Sequence, residues 1–450
     1  MNKKVNGYRG IYATHKYWGK KPPELCEKII KNFSKEKDLV VDPFMGSGVL
    51  GRICKENNRK FIGSDINPSA LNIAEVFINP PNKELVSKVI KKLSEDAAPE
   101  ILSLYRTSLG EEVTHIIRND QNIEEVWIKD GNKTKIYKKK LDFLVKEARP
   151  KDPNFLNYKL FKNSRINVGT NEEVSSLFTN RSLKSIEILL QTIELMNIEE
   201  KKIALFILTS AIGQMSKMVF AIKNRKKNTE KNFEVGSWVI GFWKPKIFFE
   251  INVWRIFLRR ANKLLKALSE ISFSKSKIQP TDLFLKDGFQ VLKDLNKNHV
   301  DLIITDPPHN DRIPYLELSA IWNNILYEKP DYENEWVLSN SQSRNKGEKE
   351  YLGKLEMFFK LSKNALKKDG LLILIFNTTN QIIWEKLKIF PESCGLHFIG
   401  KFPGEYTAQS VVQDNREGAL KYDWCLVYSR NKVLNFDKNK ISGWSKKWGN

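Results

Sequence analysis

Hydrophobic residues recur in runs whose spacing predicts alternating strands and helices toward both ends of the chain. Residues 23–34 carry apolar positions at helical spacing, and 39–44 and 60–66 are short apolar runs. The same rhythm returns after residue 280, with apolar runs at 300–308 and 371–378. Strand, glycine turn, helix and strand in this order predict the opening of a doubly wound α/β domain.

The middle of the chain breaks this rhythm. Residues 84–106, 183–223 and 254–270 have helical periodicity, whereas 113–140 has the pattern of short polar hairpins around an Asp-Gly turn signal. We therefore expect an insert that is largely helical and interrupts the α/β domain.

The pattern predicts a discontinuous α/β domain, closed by an antiparallel hairpin over 396–406 and 422–430. The predicted parts are the α/β domain over 1–80 and 281–432, the insert over 81–280, and a loosely held basic tail over 433–450.

Composition narrows the class of protein. With 450 residues and 41% hydrophobic residues, the chain can bury a large core, which excludes wholesale disorder. The four cysteines form no Cys-x-x-Cys pair, so we expect neither a zinc site nor a disulfide framework, and a reducing cytoplasm fits. The basic N-terminus lacks the apolar core of a signal peptide, and no apolar run is long enough for a membrane span.

The charge is strongly positive and unevenly placed. The net charge is +22, and residues 201–300 hold 20 Lys or Arg against 7 Asp or Glu. Residues 301–350 reverse the sign, with 5 basic and 10 acidic side chains. Aromatic side chains interleave with the basic stretch, and each of them alone is more typical of a core residue. Taken together, the stretch 201–280 predicts a nucleic-acid contact surface.

The first candidate site is the turn Asp42-Pro43-Phe44-Met45-Gly46-Ser47-Gly48, which follows a predicted strand. Ligands of open α/β sheets bind at the carboxyl ends of strands, and glycines let the backbone approach a ligand closely. Asp65 ends the next strand, where an acidic side chain can bind ribose hydroxyls. The pair predicts a nucleotide-like cofactor, although a glycine turn alone is also typical of a tight structural turn.

The second candidate site is Thr305-Asp306-Pro307-Pro308-His309, at the end of another apolar run. Proline fixes φ and donates no hydrogen bond, so the strand cannot pair onward. The carboxylate and neighbouring carbonyls can accept hydrogens from a planar amine, and the imidazole can stack on a flat base. A plain strand cap is the structural alternative.

These two motifs, VVDPFMGSGV and TDPPHND, resemble the cofactor and catalytic motifs of S-adenosylmethionine-dependent amino-group DNA methyltransferases. The stretch 306–326 is similar to a subgroup labelled adenine-specific DNA methylases. The segment 15–22 resembles the one that packs over the cofactor's methionine end. SDINPSAL resembles the ribose-binding segment, and 286–289 the one near the adenine. The resemblance covers about 1–80 and 281–430.

The resemblance implies a Rossmann-like mixed α/β sheet with helices on both faces, S-adenosyl-L-methionine as cofactor, and no metal. It implies catalytic roles for Asp306, Pro307, Pro308 and His309. The implied cofactor residues are His15, Tyr17, Trp18, Lys20, Pro22, Asp42, Pro43, Phe44, Gly46, Ser47, Gly48, Asp65, Ile66, Asn67, Asp287, Gly288 and Phe289.

The chain departs from the family pattern at two places. His309 stands where a tyrosine or phenylalanine is usual, so the stacking group is smaller and can become charged near pH 6.5. The insert lacks the cysteine zinc ribbon that subgroup members often carry. An Asp before Pro-Pro favours adenine, while the chemically similar cytosine amine stays open.

The resemblance implies methyl transfer to a base flipped out of double-stranded DNA, which the basic stretch 201–280 would grip. It also implies a restriction-modification or phage-defence role with a partner protein, and it gives no membrane partner. Two alternatives remain. One is a tRNA or rRNA base-amine methyltransferase, and the other is a catalytically weakened DNA-binding protein with this fold.

Overall fold

The fold is described from a computed structural model of the chain. The residues described are 8–131, 133–138, 148–164, 166–224, 231–238, 241–271, 279–308, 313–339, 341–404, 423–431 and 438–448. Contacts between Cα atoms divide the chain into two compact units. Unit 1 consists of 1–80, 272–315 and 330–450, and unit 2 consists of 81–271 and 316–329.

Strands and helices occur in both units. In the described residues the strands are β1 (Leu39–Asp42), β2 (Lys60–Asp65), β3 (Val113–Asn119), β4 (Asn122–Asp130), β5 (Lys133–Lys138), β6 (Val219–Lys223), β7 (Phe233–Trp238), β8 (Ile247–Ile251), β9 (Thr281–Leu285), β10 (Val300–Thr305), β11 (Leu366–Phe376), β12 (His397–Gly404) and β13 (Asp423–Ser429). The helices are α1 (Pro23–Phe33), α2 (Val49–Glu56), α3 (Pro68–Ile78), α4 (Lys83–Asp96), α5 (Ala98–Ser103), α6 (Asn180–Glu194), α7 (Ile198–Ile212), α8 (Val253–Ser269), α9 (Gly288–Asp294), α10 (Tyr315–Ile325), α11 (Glu348–Ala365) and α12 (Gln381–Cys394).

Unit 1 is built on a seven-stranded sheet in the order β12-β13-β11-β10-β1-β2-β9. The neighbours from β11 to β9 pair in parallel, whereas β13 is antiparallel to both β11 and β12. The predicted closing hairpin is therefore confirmed. The predicted α/β fold class is confirmed as well.

Alternating strand residues explain why helices cover both faces of this sheet. Val40 packs in one apolar cluster with residues of α1, α2 and α3, whereas Leu39 and Val41 pack in another with residues of α9, α11 and α12. Successive side chains of a strand point to opposite faces, so an all-apolar strand needs a cover on each side.

The strand order reverses direction at β1. From β1 the chain continues to β2 and β9 on one side, and then returns to β10 and β11 on the other. Ligands of open α/β sheets bind at the carboxyl edge beside such a reversal. The topology therefore predicts a ligand site among the residues that follow β1, β2, β9 and β10.

Two local expectations for unit 1 differ from the structure. The helical pattern over 353–370 predicts a glycine stop, but α11 ends at Ala365 and β11 begins at Leu366. The register of β10 against β11 shifts after Val300 pairs with Leu366, and the exposed residues 367–369 fall within this irregularity. A bulge of this kind accommodates polar residues in a buried strand, and periodicity alone does not predict it.

The described part of the predicted basic tail, 438–448, is packed rather than loose. Ile441 is buried in the cluster with α1, and the Trp444 ring stacks on Phe402 at 6.4 Å. Ser445 exchanges backbone hydrogen bonds with Lys401. The apolar side chains of 438–448 account for this packing, since the basic residues around them can remain in water.

Unit 2 contains helices together with a six-stranded antiparallel sheet in the order β5-β4-β3-β8-β6-β7. The expectation of a largely helical insert is therefore wrong about this sheet. The sequence pattern predicted only its polar hairpins. Residues 316–329, which the sequence pattern assigned to the α/β domain, lie in unit 2.

Most of the aromatic residues in 201–280 serve the core of unit 2. Trp238, Phe242, Phe248, Phe249, Trp254 and Phe257 are buried, whereas Trp243 is 40% exposed. A buried ring cannot stack on a base, so the described part of the stretch 201–280 does not expose a continuous aromatic platform. Within the described residues, no helix is both long enough and apolar enough to cross a membrane.

Candidate active site

Four neighbouring parallel strands of unit 1 end at or just before an aspartate. β1 ends at Asp42, β2 at Asp65, β9 two residues before Asp287, and β10 one residue before Asp306. Because the strands are parallel and adjacent, these four residues share one edge of the sheet. The structure therefore brings the predicted cofactor and catalytic motifs to the same edge.

The glycine turn after β1 is a cradle that side chains would fill. Gly46 and Gly48 have φ of +52° and +74°, which L residues rarely adopt. A Cβ on Gly46 would lie 3.1 Å from the Tyr17 ring, and a Cβ on Gly48 would lie 2.6 Å from that of Ala74. Ser47 between them is buried. The turn thus keeps its backbone bare where a ligand would approach.

Asp65 holds this turn in place. Its Oδ2 accepts a hydrogen bond from the Gly46 amide at 2.9 Å, and its Oδ1 accepts one from the Asn67 amide at 2.9 Å. Burial raises the pKa of Asp65 to about 6. The backbone hydrogen bonds that it accepts, including one from Ile66, lower the pKa and so oppose this shift. Asn67 is buried and caps α3, with its Oδ1 accepting from the Ser69 amide. Asp65 therefore positions the turn, and its carboxylate keeps further acceptor capacity.

Asp42 is a buried carboxyl that links the two motifs. Its Oδ1 accepts hydrogen bonds from the Thr305 hydroxyl at 2.8 Å and the Phe44 amide at 3.1 Å. Burial raises its pKa from 3.8 to about 7, although these two hydrogen bonds lower it. Asp42 is thus poised between the neutral and ionised forms near neutral pH.

This pKa predicts a pH effect on stability. A carboxyl with a raised pKa in the folded state stabilises the fold while protonated, and this contribution is lost as the pH rises from about 4 through 7. Asn cannot ionise. We therefore expect the free energy of unfolding of Asp42→Asn to fall less steeply with rising pH than that of wild type, by up to about 1.4 kcal/mol per pH unit within this window. Urea unfolding of wild type and variant at several pH values measures it. Parallel curves for the two proteins would contradict the assignment.

The N-terminal segment 15–22 lies over the glycine turn. Tyr17 contacts Gly46, stacks on Tyr315 at 6.2 Å and is hydrogen-bonded by Asn67. Trp18 packs beside the Tyr17 ring, with centroids 6.2 Å apart. Of the predicted cofactor residues here, the structure brings Tyr17 into direct contact with the turn.

Three other members of this segment have local partners. Lys20 Nζ donates to the carbonyls of Tyr12 at 2.6 Å and His15 at 2.8 Å. His15 is buried, and its Nδ1 hydrogen-bonds the Lys16 carbonyl at 2.7 Å. Pro22 precedes α1 as its N-cap residue. These residues shape the segment, and the ammonium of Lys20 is held within it.

The turn after β9 packs directly against the turn after β1. A Cβ on Gly288 would lie 2.2 Å from the Pro43 carbonyl oxygen. Asp287 caps α9 through the Phe289 amide at 3.1 Å, and burial raises its pKa. Phe289 is buried, and its ring meets those of Phe44 at 5.7 Å and Trp336 at 5.5 Å. Phe289 thus belongs to the core beneath the predicted adenine position.

Lys21 is the basic residue that the structure brings to Asp306. Its Nζ forms an ion pair with Asp306 Oδ2, and both side chains are mostly buried. Burial lowers the pKa of Lys21, while the negative charges of Asp423 and Asp42 raise it. Sequence reasoning missed this residue because nothing in Lys20-Lys21 distinguishes which ammonium faces the catalytic motif.

Tyr351 fixes the other end of the Asp-Pro-Pro motif and was also missed. Its hydroxyl donates to the Pro308 carbonyl at 3.0 Å, and its ring packs on Trp336. Pro307 is buried and Pro308 is half-buried. His309 lies outside the described residues. Lys21 thus holds Asp306 at one end of the motif, and Tyr351 holds Pro308 at the other.

Loss of the Tyr351 hydroxyl tests this anchor. We expect Tyr351→Phe to reduce the methyl transfer that the sequence resemblance implies by about tenfold, and stability by about 1 kcal/mol, because the hydrogen bond that holds Pro308 is lost. Radiolabel transfer and thermal unfolding measure the two effects. Tyr428→Phe is the matched control, since Tyr428 is also buried and donates to the Leu387 carbonyl at 3.0 Å. It should lose similar stability with little change in rate, and equal rates for both variants would refute the anchor.

The donor set at this edge is a set of carboxylates, backbone groups and aromatic rings. Among the residues that the structure describes, no cluster of three His, Cys, Asp or Glu side chains could hold a metal ion. The bare glycine cradle and the neighbouring carboxyls suit a cofactor that carries both a ribose and a positive charge. The residues present therefore fit S-adenosylmethionine.

A comparison with protein families matches the N-terminal part of the chain, which carries the glycine turn and Asp65. Residues 2–76 match a family of DNA methylases. The chain is 31% identical over 121 residues to Type II methyltransferase M.HpaI of Haemophilus parainfluenzae, covering 26% of this chain and 38% of that protein. It is 42% identical over 76 residues to Type II methyltransferase M1.MboII of Moraxella bovis, covering 17% and 28%.

A third relative is Type II methyltransferase M2.DpnII of Streptococcus pneumoniae, 37% identical over 83 residues that cover 18% of this chain and 29% of that protein. The chain thus spans less than two fifths of the length of these relatives. With the fold and the shared motifs, these matches confirm the family resemblance predicted from the sequence, that to the amino-group DNA methyltransferases.

Proposed function

We propose that this protein transfers a methyl group from S-adenosyl-L-methionine to the exocyclic amine of a base flipped out of double-stranded DNA. The single observation that carries the proposal is the meeting of two motifs at one sheet edge. Thr305, directly before Asp306, hydrogen-bonds Asp42 of the glycine turn. An amine-binding motif beside a cofactor cradle is what methyl transfer to an amine requires.

The cofactor would be held by the predicted residues that line this edge. Gly46 and Gly48 leave room for it, Tyr17 covers the turn, and Asp65 offers acceptors to ribose hydroxyls. Asp42 supplies a carboxyl whose ionisation near neutral pH suits a positively charged group. When bound, S-adenosylmethionine supplies an electrophilic methyl group on a sulfonium.

The chain's own residues would activate the amine. Its lone pair is delocalised into the base ring, so the amine is a weak nucleophile. Asp306 and the Pro307 carbonyl would accept hydrogen bonds from the amine and hold the amine in one orientation. As the nitrogen gains its methyl group it sheds a proton, which the Asp306 carboxylate is placed to take. Lys21 is the ion-pair partner of that carboxylate.

The base we propose is adenine, giving N6-methyladenine. The support is the Asp that precedes Pro-Pro, in a stretch similar to adenine-specific methylases. The cytosine amine is the second candidate, since matches to the combined family do not separate the two bases. The location we propose is the cytoplasm. The four cysteines are free thiols, as is usual in a reducing compartment.

The proposed DNA contact is the basic stretch 201–280, which supplies cations for phosphates. A restriction or defence partner protein is proposed from the names of the relatives, which are Type II methyltransferases.

One experiment separates the candidate functions. The purified full chain is incubated with labelled S-adenosylmethionine and with duplex DNA, tRNA or rRNA, and the nucleosides are then identified. We expect label in DNA as N6-methyladenine. Label as N4-methylcytosine would replace the base and keep the enzyme class. Label in RNA alone would overturn the DNA proposal, and cofactor binding without any transfer would favour the weakened DNA-binding alternative.

A further inference from the structure

Unit 2 contains a cleft of about 650 Å³. Four separate stretches line it, from the β3–β4 turn, the start of α6, the approach to β6 and the approach to β8. The lining residues are Arg118, Asp120, Gln121, Phe178, Thr179, Asn180, Lys217, Lys244, Pro245, Lys246 and Phe248. Its volume is in the range of small-ligand sites.

Positive charge dominates this cleft. Four lining side chains are cationic, namely Arg118, Lys217, Lys244 and Lys246, and the lining carries the single carboxylate of Asp120. Lys244 is also paired with Glu172, which lies outside the lining. Burial lowers the pKa of Lys217, and the nearby charges of Lys244 and Arg118 lower it further, whereas the carboxylates of Glu250 and Glu172 raise it. Cations that disfavour one another's charge would gain stability from an anion placed among them.

Hydrogen bonds hold two of these cations, Arg118 and Lys217, in place. Glu250 is fully buried and accepts from Arg118 Nε at 2.6 Å and from Arg181 Nη1 at 3.0 Å. One carboxylate thus serves two guanidinium groups. Lys217 Nζ donates to the Ser176 carbonyl at 3.1 Å. A ligand would therefore meet cations that are already ordered.

The N-terminus of α6 adds to this positive field. Thr179 is its N-cap and accepts the Ser182 amide at 3.2 Å, and Asn180 is the first helical residue. A fifteen-residue helix carries partial positive charge at this end and exposes amide donors to an anion. The buried rings of Phe178 and Phe248 form an apolar floor.

We propose that this cleft binds phosphodiester groups of the DNA backbone. The inference rests on the proposed function and deepens it, because it selects one site in unit 2. Lys217, Lys244 and Lys246 belong to the basic stretch predicted from the sequence. Arg118 and Asn180 lie outside it, so the site is defined by the fold rather than by the charge run.

Two substitutions test the cleft with little risk to the fold. Lys246→Gln removes an exposed cation. Asn180→Asp places an acid in the first turn of α6, where it favours the helix but repels a phosphate. Lys91→Gln is the matched control, because Lys91 lies on α4 in the same unit and is 76% exposed in a weak pair with Glu95.

The measurement is fluorescence anisotropy of the full chain with labelled duplex DNA over a series of salt concentrations. We expect each cleft variant to bind about three- to tenfold more weakly, with the slope of log affinity against log salt reduced by about 1. The control should match wild type in affinity and slope. Thermal shifts with inorganic phosphate form a second arm.

Unchanged affinity and slope in both cleft variants would overturn the proposal. If phosphate stabilises wild type but not the variants while DNA binding is unchanged, the cleft takes a small phosphate ligand, and the DNA assignment is wrong. Unchanged DNA binding by variants of an enzyme that methylates DNA contradicts this inference alone. Absence of DNA methylation by wild type contradicts the proposed function, and the affinity and slope comparison still decides the cleft.

Discussion

Asp306→Ala is expected to reduce methyl transfer by about 10²- to 10³-fold or more while cofactor binding is largely retained. Asp306 is the carboxylate that would orient the amine, whereas the glycine turn and Asp65 are attached to other strands. Single-turnover transfer of labelled methyl groups measures the rate, and calorimetry with S-adenosylmethionine measures the binding. Full activity in this variant would show that the site has been placed wrongly.

The control for this prediction lies on the same strand. Asp301 is near the amino end of β10 and pairs with Lys367 at 2.6 Å, much as Asp306 pairs with Lys21 at the carboxyl end. Asp301→Ala removes an aspartate–lysine pair and the acceptor of the Leu39 amide, both away from the cofactor edge, so its rate should stay close to wild type. A comparable rate loss in both variants would indicate damage to β10 rather than to the site.

Gly288→Ala is expected to weaken cofactor binding by about tenfold or more and to destabilise the fold by about 1–3 kcal/mol. The new methyl group would lie 2.2 Å from the Pro43 carbonyl oxygen, which is backbone and cannot move aside alone. The turns after β1 and β9 would be forced apart, and both carry predicted cofactor residues. Calorimetry and urea unfolding measure the two effects.

Gly353→Ala is the paired control for this substitution. Gly353 lies within α11, and nothing lies within 4 Å of a Cβ built on it. Alanine there should stabilise the protein by about 0.5–1 kcal/mol and leave cofactor affinity unchanged. If Gly288→Ala bound the cofactor as wild type does, the contact between the two turns would not define the cofactor site.

The sequence predicted those parts of the fold whose signals are local. The strands that end at Asp42, Asp65 and Asp306 are short apolar runs followed by turn residues, and such runs are typical of buried parallel strands. Parallel pairing then places their carboxyl ends on one edge without further information. The motifs at that edge were visible for the same reason.

The sheet of unit 2 and two supports of the site could not be predicted in this way. β3 pairs with β8, and the Arg118–Glu250 bond between these strands joins residues 132 positions apart. Tyr351 reaches Pro308 across 43 positions. No local periodicity encodes such partners, because they are chosen by the packed fold. The choice of Lys21 over Lys20 depends likewise on which way the backbone turns before α1.

The assignment of 316–329 to unit 2 would limit how the proposed methyltransferase could acquire a new target sequence. α10 is buried along its length, and its Asn324 accepts a hydrogen bond from the Tyr158 amide of the same unit. A chimaera that exchanges only 81–271 would separate 316–329 from the rest of its unit and would replace the Tyr158 partner of Asn324. Recombination would have to replace two separate gene segments at once, so we expect new specificities of the proposed methyltransferase to arise by point substitution within unit 2.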